Sequence, residues 1–100
     1  MLLNRADVNQ QNKHGETPLH QAAHRGRDAV VAQLLSAGAL TNLATRHGET
    51  PLHFAVRAGQ KAVVASLLAA GADAAAVSTS GTPLELAKPY PEITEMLRRT

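Results

Sequence analysis

Apolar residues recur along the chain in short clusters with the spacing of a helix. Segment 30–35 carries a Val-Val pair and a Leu-Leu pair four positions apart, and segment 63–68 repeats this arrangement. Such spacing puts the four side chains on one face of a helix. A glycine follows each cluster, at Gly38 and Gly71, and glycine ends helices because it adopts the left-handed conformation without strain. The pattern predicts one amphipathic helix over about 28–37 and a second that ends before Gly71.

A shorter helix is predicted before each of these. The hexapeptide Gly-Glu-Thr-Pro-Leu-His occupies 15–20 and 48–53, and a shortened Gly-Thr-Pro-Leu-Glu occupies 81–85, so that the three glycines are 33 residues apart. A threonine hydroxyl can accept a backbone N–H of the first helical turn, and proline fits the first helical position, where its missing N–H is no loss. The motif positions are Thr17, Pro18, His20, Thr50, Pro51, His53, Thr82 and Pro83.

A period of 33 residues with Thr-Pro-Leu-His, a glycine between the two helices and a final Gly-Ala resembles the ankyrin repeat. The resemblance covers almost the whole chain and implies an all-α solenoid, in which helix-turn-helix units stack and short loop or β-turn fingers project. We predict a single domain with a partial N-terminal repeat tail at 1–11, complete repeats at 12–44 and 45–77, and a degenerate C-terminal capping repeat at 78–100.

The first segment departs from the family pattern. Arg5 stands where the resemblance leads us to expect glycine, and a left-handed arginine costs about 1 kcal/mol or more. We therefore expect residues 1–11 to be irregular. Both excision from a longer array and a natural start at Met1 remain open.

The last segment departs in a different way. Pro89-Tyr90-Pro91 replaces the glycine turn, which predicts an inner helix cut to about Pro83–Lys88 and a final helix from Pro91 or Glu92. Glu85 replaces the motif histidine three residues after Thr82, a spacing that creates a capping box. The resemblance implies that the histidine ties one repeat to the next, so its loss indicates a C-terminal cap.

Composition narrows the possible functions. The chain has one Phe, one Tyr, no Trp and no Cys, and its net charge is +2. The absence of cysteine excludes a disulfide scaffold and is compatible with a reducing compartment, so we predict an intracellular location, cytoplasmic or nuclear. No segment reaches the length of a membrane span, and the charge and aromatic content are too low for nucleic-acid binding.

No arrangement of residues indicates catalysis. The resemblance implies that His20 and His53 hydrogen-bond the threonine hydroxyls of their motifs and the neighbouring loop. His20 and His24 have the spacing of two zinc ligands, but they lack a third ligand and the glutamate of a metalloprotease helix. We predict no catalytic residues, no metal and no cofactor.

The remaining feature is surface charge. The resemblance implies that partners dock on the concave side, which loop tips and inner helices form. Carried over to this sequence, the candidate partner-binding residues are Lys13, His14, Glu16, His24, Arg25, Arg46, His47, Glu49, Arg57 and Thr79. We call this set the basic stripe. An acidic or phosphorylated peptide docked across Arg25, Arg46 and Arg57 is one interpretation, since guanidinium suits bidentate oxyanion contacts. The alternative is that these charges only keep the solenoid in solution.

These observations predict a non-enzymatic protein–protein interaction module, a scaffold or adaptor that binds a partner peptide or domain on its concave surface. The alternative is a regulatory or targeting ankyrin segment of a larger enzyme whose catalytic domain lies outside this chain. Because about three repeats are needed for a stable solenoid, we also expect marginal stability or self-association through an exposed N-terminal edge that includes Leu2 and Leu3.

Overall fold

Each pair of helices in this protein begins at a Thr-Pro step, as predicted. The structure is a computed structural model that describes residues 8–100. Six helices lie wholly within these residues: α1 (Pro18–Arg25), α2 (Asp28–Ser36), α3 (Pro51–Arg57), α4 (Lys61–Ala69), α5 (Pro83–Leu86) and α6 (Pro91–Arg98). An isolated bridge between Ser78 and Gly81 is the β pairing found in this range. The prediction of an all-α fold is confirmed.

Local capping explains the starts of the inner helices. The hydroxyl of Thr17 accepts the backbone N–H of His20 at 3.3 Å. Thr82 and Glu85 form the predicted capping box, in which the Glu85 carboxylate accepts the Thr82 N–H at 2.9 Å. These bonds satisfy backbone donors that have no partner within the helix. Helix α5 ends at Leu86, two residues before the predicted end at Lys88.

The helices form two layers, with α1, α3 and α5 stacked in the inner layer and α2, α4 and α6 stacked in the outer one. Adjacent units fit closely at the reversals between layers. Gly26 and Gly59 have φ angles of +70° and +71°, and a Cβ on Gly59 would lie 2.6 Å from the Tyr90 ring. Glycine is therefore required there both for the turn and for the next unit to approach.

The apolar stripe of α2 is buried only in part. Val31 and Leu34 are buried, but Val30 is 38% exposed, whereas the equivalent Val63 of α4 is fully buried. The reason is position in the stack: α4 packs between α2 and α6, while the described neighbours of α2 are α1 and α4. Within residues 8–100, α2 thus has an outer-layer neighbour on one side, and it buries a narrower face than α4.

A similar asymmetry separates the leucines of the Thr-Pro-Leu motifs. Leu19 and Leu52 are completely buried, but Leu84 of the third motif is 41% exposed. Each of the first two leucines belongs to an inner helix covered by the next inner helix of the stack, α1 by α3 and α3 by α5. Within residues 8–100, no further helix pair covers α5.

The expectations for the start of the chain concern residues mostly outside the described range. Residues 1–7, which include Leu2, Leu3 and Arg5, lie outside it. The first described residue, Val8, is completely buried.

Candidate partner-binding surface

Three loops, which we call fingers, lead into the inner helices: the first finger at 11–16, the second at 44–49 and the third at 77–81. In the second finger, the backbone N–H of Thr45 donates to the carbonyl oxygen of Glu49 at 2.8 Å, and corresponding bonds of 2.9 and 3.0 Å close the other two. Each finger is thus a closed turn that holds its tip in place.

Backbone bonds also join the fingers into a row. The N–H of Arg46 donates to the carbonyl oxygen of His14 at 3.1 Å. The N–H of Thr79 donates to the carbonyl oxygen of His47 at 2.9 Å. At Gly15, with φ of +81°, a Cβ would lie 3.0 Å from the Cα of Thr45. The tips of neighbouring fingers therefore form one continuous surface with little freedom to move apart.

The motif histidines link each inner helix to the following finger. The N–H of Thr17 donates to Nδ1 of His20 at 3.0 Å, so Nδ1 carries no proton and Nε2 donates to the carbonyl oxygen of Glu49 at 2.8 Å. His53 repeats this arrangement. Its Nδ1 accepts the N–H of Thr50 at 3.0 Å, and its Nε2 donates to the carbonyl oxygen of Gly81 at 3.0 Å.

Burial holds both imidazoles in the neutral form. It lowers the pKa of His20 to about 4, against a smaller raising effect from Glu16, and His53 adds a small lowering effect. Burial also lowers the pKa of His53, although its hydrogen bond to Gly81 acts in the opposite direction. A neutral His20 with Nδ1 as acceptor is the form that this bonding pattern requires.

The two carboxylates of the basic stripe have different surroundings. The Oε1 atom of Glu16 accepts hydrogen bonds from Asn12 Nδ2 at 3.1 Å and Gln21 Nε2 at 2.7 Å. In the next unit Thr45 and Phe54 replace these two amides, and Glu49 forms an ion pair with Arg57 instead. The Glu49 side chain is only 10% exposed, while that of Arg57 is 42% exposed.

Phe54 packs between units. Its ring meets the His20 ring edge-to-face at a centroid distance of 5.0 Å and the His24 ring at 6.1 Å. The guanidinium carbon of Arg57 lies 5.5 Å from the Phe54 centroid, within the range of a cation–π contact. Arg57 is therefore held between the Phe54 ring and the Glu49 carboxylate.

The remaining cations of the basic stripe face outward. Lys13, Arg25 and Arg46 are exposed, and within residues 8–100 none of them forms an ion pair. Thr79 of the third finger is exposed and uncharged. The charge of this surface is thus concentrated on the first two units.

A groove of about 250 Å³ lies between the first and second fingers. Its lining residues are His14, Glu16, Thr45, Arg46, His47, Glu49 and Phe54. The structure thus brings together five of the ten candidate residues in one concavity. Lys13, His24, Arg25, Arg57 and Thr79 lie outside its lining.

The ion pair between Glu49 and Arg57 was not predicted from the sequence, which suggested Arg57 only as a contact for an acidic or phosphorylated peptide. The two residues are eight apart and lie on a finger and a helix, so no regular helical spacing marks them. The available signal was the loss of Asn12 and Gln21 equivalents in the second unit, which leaves Glu49 without its amide donors.

In residues 8–100, no group of three or more histidine, cysteine, aspartate or glutamate side chains is arranged to hold a metal ion. None of the helices there has the length and apolar character needed to cross a membrane.

Comparison with known proteins agrees with the repeated architecture. The family model described as ankyrin repeats, in three copies, matches residues 1–78. The chain is 49% identical over 45 residues to Rabankyrin-5 of Homo sapiens. It is 55% identical over 38 residues to calmodulin-binding transcription activator 6 of Arabidopsis thaliana.

These two matches cover 45% and 38% of this chain, respectively, and about 4% of the length of each relative. The similarity is therefore one of repeat units. The two named relatives are proteins much longer than the matched segments.

Proposed function

The chain belongs to the ankyrin-repeat family, and we propose that it is a non-enzymatic protein–protein interaction module that acts as a scaffold or adaptor. Ankyrin repeats are in general interaction modules, and their fold is not catalytic. The proposed mechanism is presentation, in which rigid stacked helices hold surface residues so that binding loses little conformational entropy.

The proposed docking surface is the basic stripe on the fingers and inner helices. The observation that supports it most is the row of fingers, whose tips are joined by backbone hydrogen bonds from Arg46 to His14 and from Thr79 to His47. A surface fixed in this way can meet a partner without first being ordered. The proposed partner is a protein segment that carries acidic or phosphorylated side chains toward Arg25, Arg46 and Arg57.

The test is an affinity capture in which wild type is compared with the triple variant Arg25→Glu, Arg46→Glu, Arg57→Glu. Circular dichroism first establishes that the variant keeps its helices. A partner purified from the capture and rebuilt as a two-component complex should bind wild type and lose most of its affinity for the variant. Equal affinity for both proteins would overturn the proposed surface.

A second proposal concerns the context of the chain. The relatives are far longer than the matched segment, which supports a role as the regulatory or targeting segment of a larger protein, including an enzyme with its catalytic domain elsewhere. Assay of the full-length protein with and without these repeats would distinguish the two roles. If the activity of the full-length protein changes when the repeats are removed, the regulatory role is favoured.

Self-association through the N-terminal edge and a cytoplasmic or nuclear location remain part of the proposal. Sedimentation analysis over a range of concentrations tests the first. A monomer at high concentration with a high melting temperature would contradict it. Imaging of the full-length protein in its source cell tests the second.

A further inference from the structure

On the first two fingers and helix α1, the carboxylates are more deeply buried than the cations. Glu49 is 8% exposed and Glu16 is half-buried, whereas Lys13, Arg25 and Arg46 are exposed. The groups that a partner can reach first are therefore cations. The sequence shows the same charges but gives no indication of this arrangement.

Arg57 differs from the other three cations. It ion-pairs with Glu49 and lies against the face of Phe54, so its charge is already neutralised by a group of the same chain. An anion of a partner would have to compete with Glu49 for this guanidinium. Within residues 8–100 Arg46 has no such competitor, and it lines the groove between the fingers.

We propose that this groove is the seat of a single carboxylate side chain of the partner, with Arg46 as its ion-pairing residue and Arg57 as a positioning residue. This inference rests on the proposed function and makes it more specific. The guanidinium of Arg46 binds the carboxylate, and the imidazoles of His14 and His47, which also line the groove, supply further hydrogen-bond donors. Arg57 neutralises Glu49 in the groove wall, which reduces the repulsion between the wall and the incoming acid.

The charge of the groove favours a carboxylate over a phosphate monoester. Glu16 and Glu49 both contribute to the lining, and Arg46 is the one arginine or lysine among the described lining residues. One unpaired guanidinium matches one monoanion. A phosphate group carries a charge of about −1.5 to −2 at pH 7, and the neighbouring carboxylates would repel it more strongly.

The experiment is an NMR titration of the isotopically labelled chain with three capped hexapeptides. The probes are hexaglutamate, hexaglutamine and a peptide that alternates phosphoserine with glutamine, which has a total charge close to that of hexaglutamate. We expect saturable shifts with hexaglutamate at the backbone amides of His14, Arg46 and His47, weaker shifts with the phosphopeptide and none with hexaglutamine.

Four variants test the roles of individual residues. Arg46→Gln should weaken hexaglutamate binding about three- to tenfold, and Arg27→Gln, an exposed arginine outside the stripe, should leave it unchanged. Arg57→Gln should weaken binding although Arg57 is absent from the groove lining. Glu49→Gln should strengthen it, because this change removes a carboxylate and releases the Arg57 guanidinium.

Several results would overturn the inference. Equal effects of Arg46→Gln and Arg27→Gln would show that Arg46 provides no specific seat. Tighter binding of the phosphopeptide than of hexaglutamate would contradict the choice of a carboxylate, and weaker binding by Glu49→Gln would contradict the positioning role of Arg57. The titration measures the groove itself, so a verified protein partner that binds the stripe and is insensitive to Arg46→Gln would remove this inference and leave the proposed function standing.

Discussion

His20 donates from Nε2 to the backbone carbonyl oxygen of Glu49 at 2.8 Å, and this bond joins the first inner helix to the second finger. On its other side the same ring accepts the N–H of Thr17. Both ring nitrogens of a completely buried side chain are thereby satisfied. The stacking of successive units consequently depends on imidazoles that stay neutral.

Stability should fall as the pH is lowered from about 6.5 toward 4. The pKa of folded His20 is about 4, below the usual 6.5, so the unfolded chain binds the proton first. The stabilisation is fully present above pH 6.5 and is lost progressively below it, with a limit on the order of 3 kcal/mol for His20. The lowered pKa of His53 acts in the same direction. Urea unfolding at pH 7, 6 and 5 measures the effect.

His20→Gln provides the control for this prediction. The variant should be less stable than wild type at pH 7, but its stability should fall less steeply between pH 7 and 5. A wild-type stability that stays constant between pH 7 and 5 would contradict the assignment.

Gly59→Ala should destabilise the protein more than Gly71→Ala. Both glycines have positive φ angles, +71° and +90°, so both substitutions meet the left-handed penalty of about 1–2 kcal/mol. Only at Gly59 would the new Cβ also collide with a neighbour, the Tyr90 ring, whereas nothing lies within 4 Å at Gly71. Thermal and urea unfolding of the two variants should show a clear difference. Equal losses would indicate that Tyr90 moves aside freely.

Substitution of Arg57 should lower the free energy of unfolding more than substitution of an ordinary surface arginine. Arg57→Gln leaves the nearly buried Glu49 carboxylate without its cation, for an expected loss of about 1–2 kcal/mol. Arg27→Gln should change the free energy of unfolding by less than about 0.5 kcal/mol. In a double-mutant cycle, Glu49→Gln should recover part of the Arg57→Gln loss. Strict additivity of the two changes would refute a coupled pair.

The leucines of the Thr-Pro-Leu motifs should differ in their contributions to stability. Leu52 is completely buried, and Leu52→Ala should cost about 2–5 kcal/mol. Leu84 is 41% exposed and buries less apolar surface, so Leu84→Ala should cost roughly 1 kcal/mol. Chemical denaturation compares the two variants directly. A loss at Leu84 as large as that at Leu52 would mean that another surface covers α5 in solution.

Much of the local structure could be predicted from the sequence. The Thr-Pro steps at Thr17 and Thr82 determine helix starts through capping and a fixed proline φ, and Gly26 permits the reversal that follows α1. These effects act over a few residues, so a single sequence expresses them fully. The capping box of Glu85 was predictable for the same reason.

The burial of individual side chains was less predictable, since it depends on which neighbours cover each helix. Val30 and Val63 occupy equivalent sequence positions, yet one is 38% exposed and the other is completely buried. The same holds for Leu84 compared with Leu52. Periodicity identifies the apolar face of a helix but not how much of that face a neighbour covers.

The repeat, its helices and the set of charges along the basic stripe follow from residue type and spacing alone. The arrangement of those charges relative to one another depends on how the units pack. This packing places the Glu49 carboxylate below the surface against Arg57 and leaves Arg46 exposed beside a groove. The physical reason is that an ion pair forms between groups brought together by packing, and packing joins a finger and a helix that no sequence spacing relates.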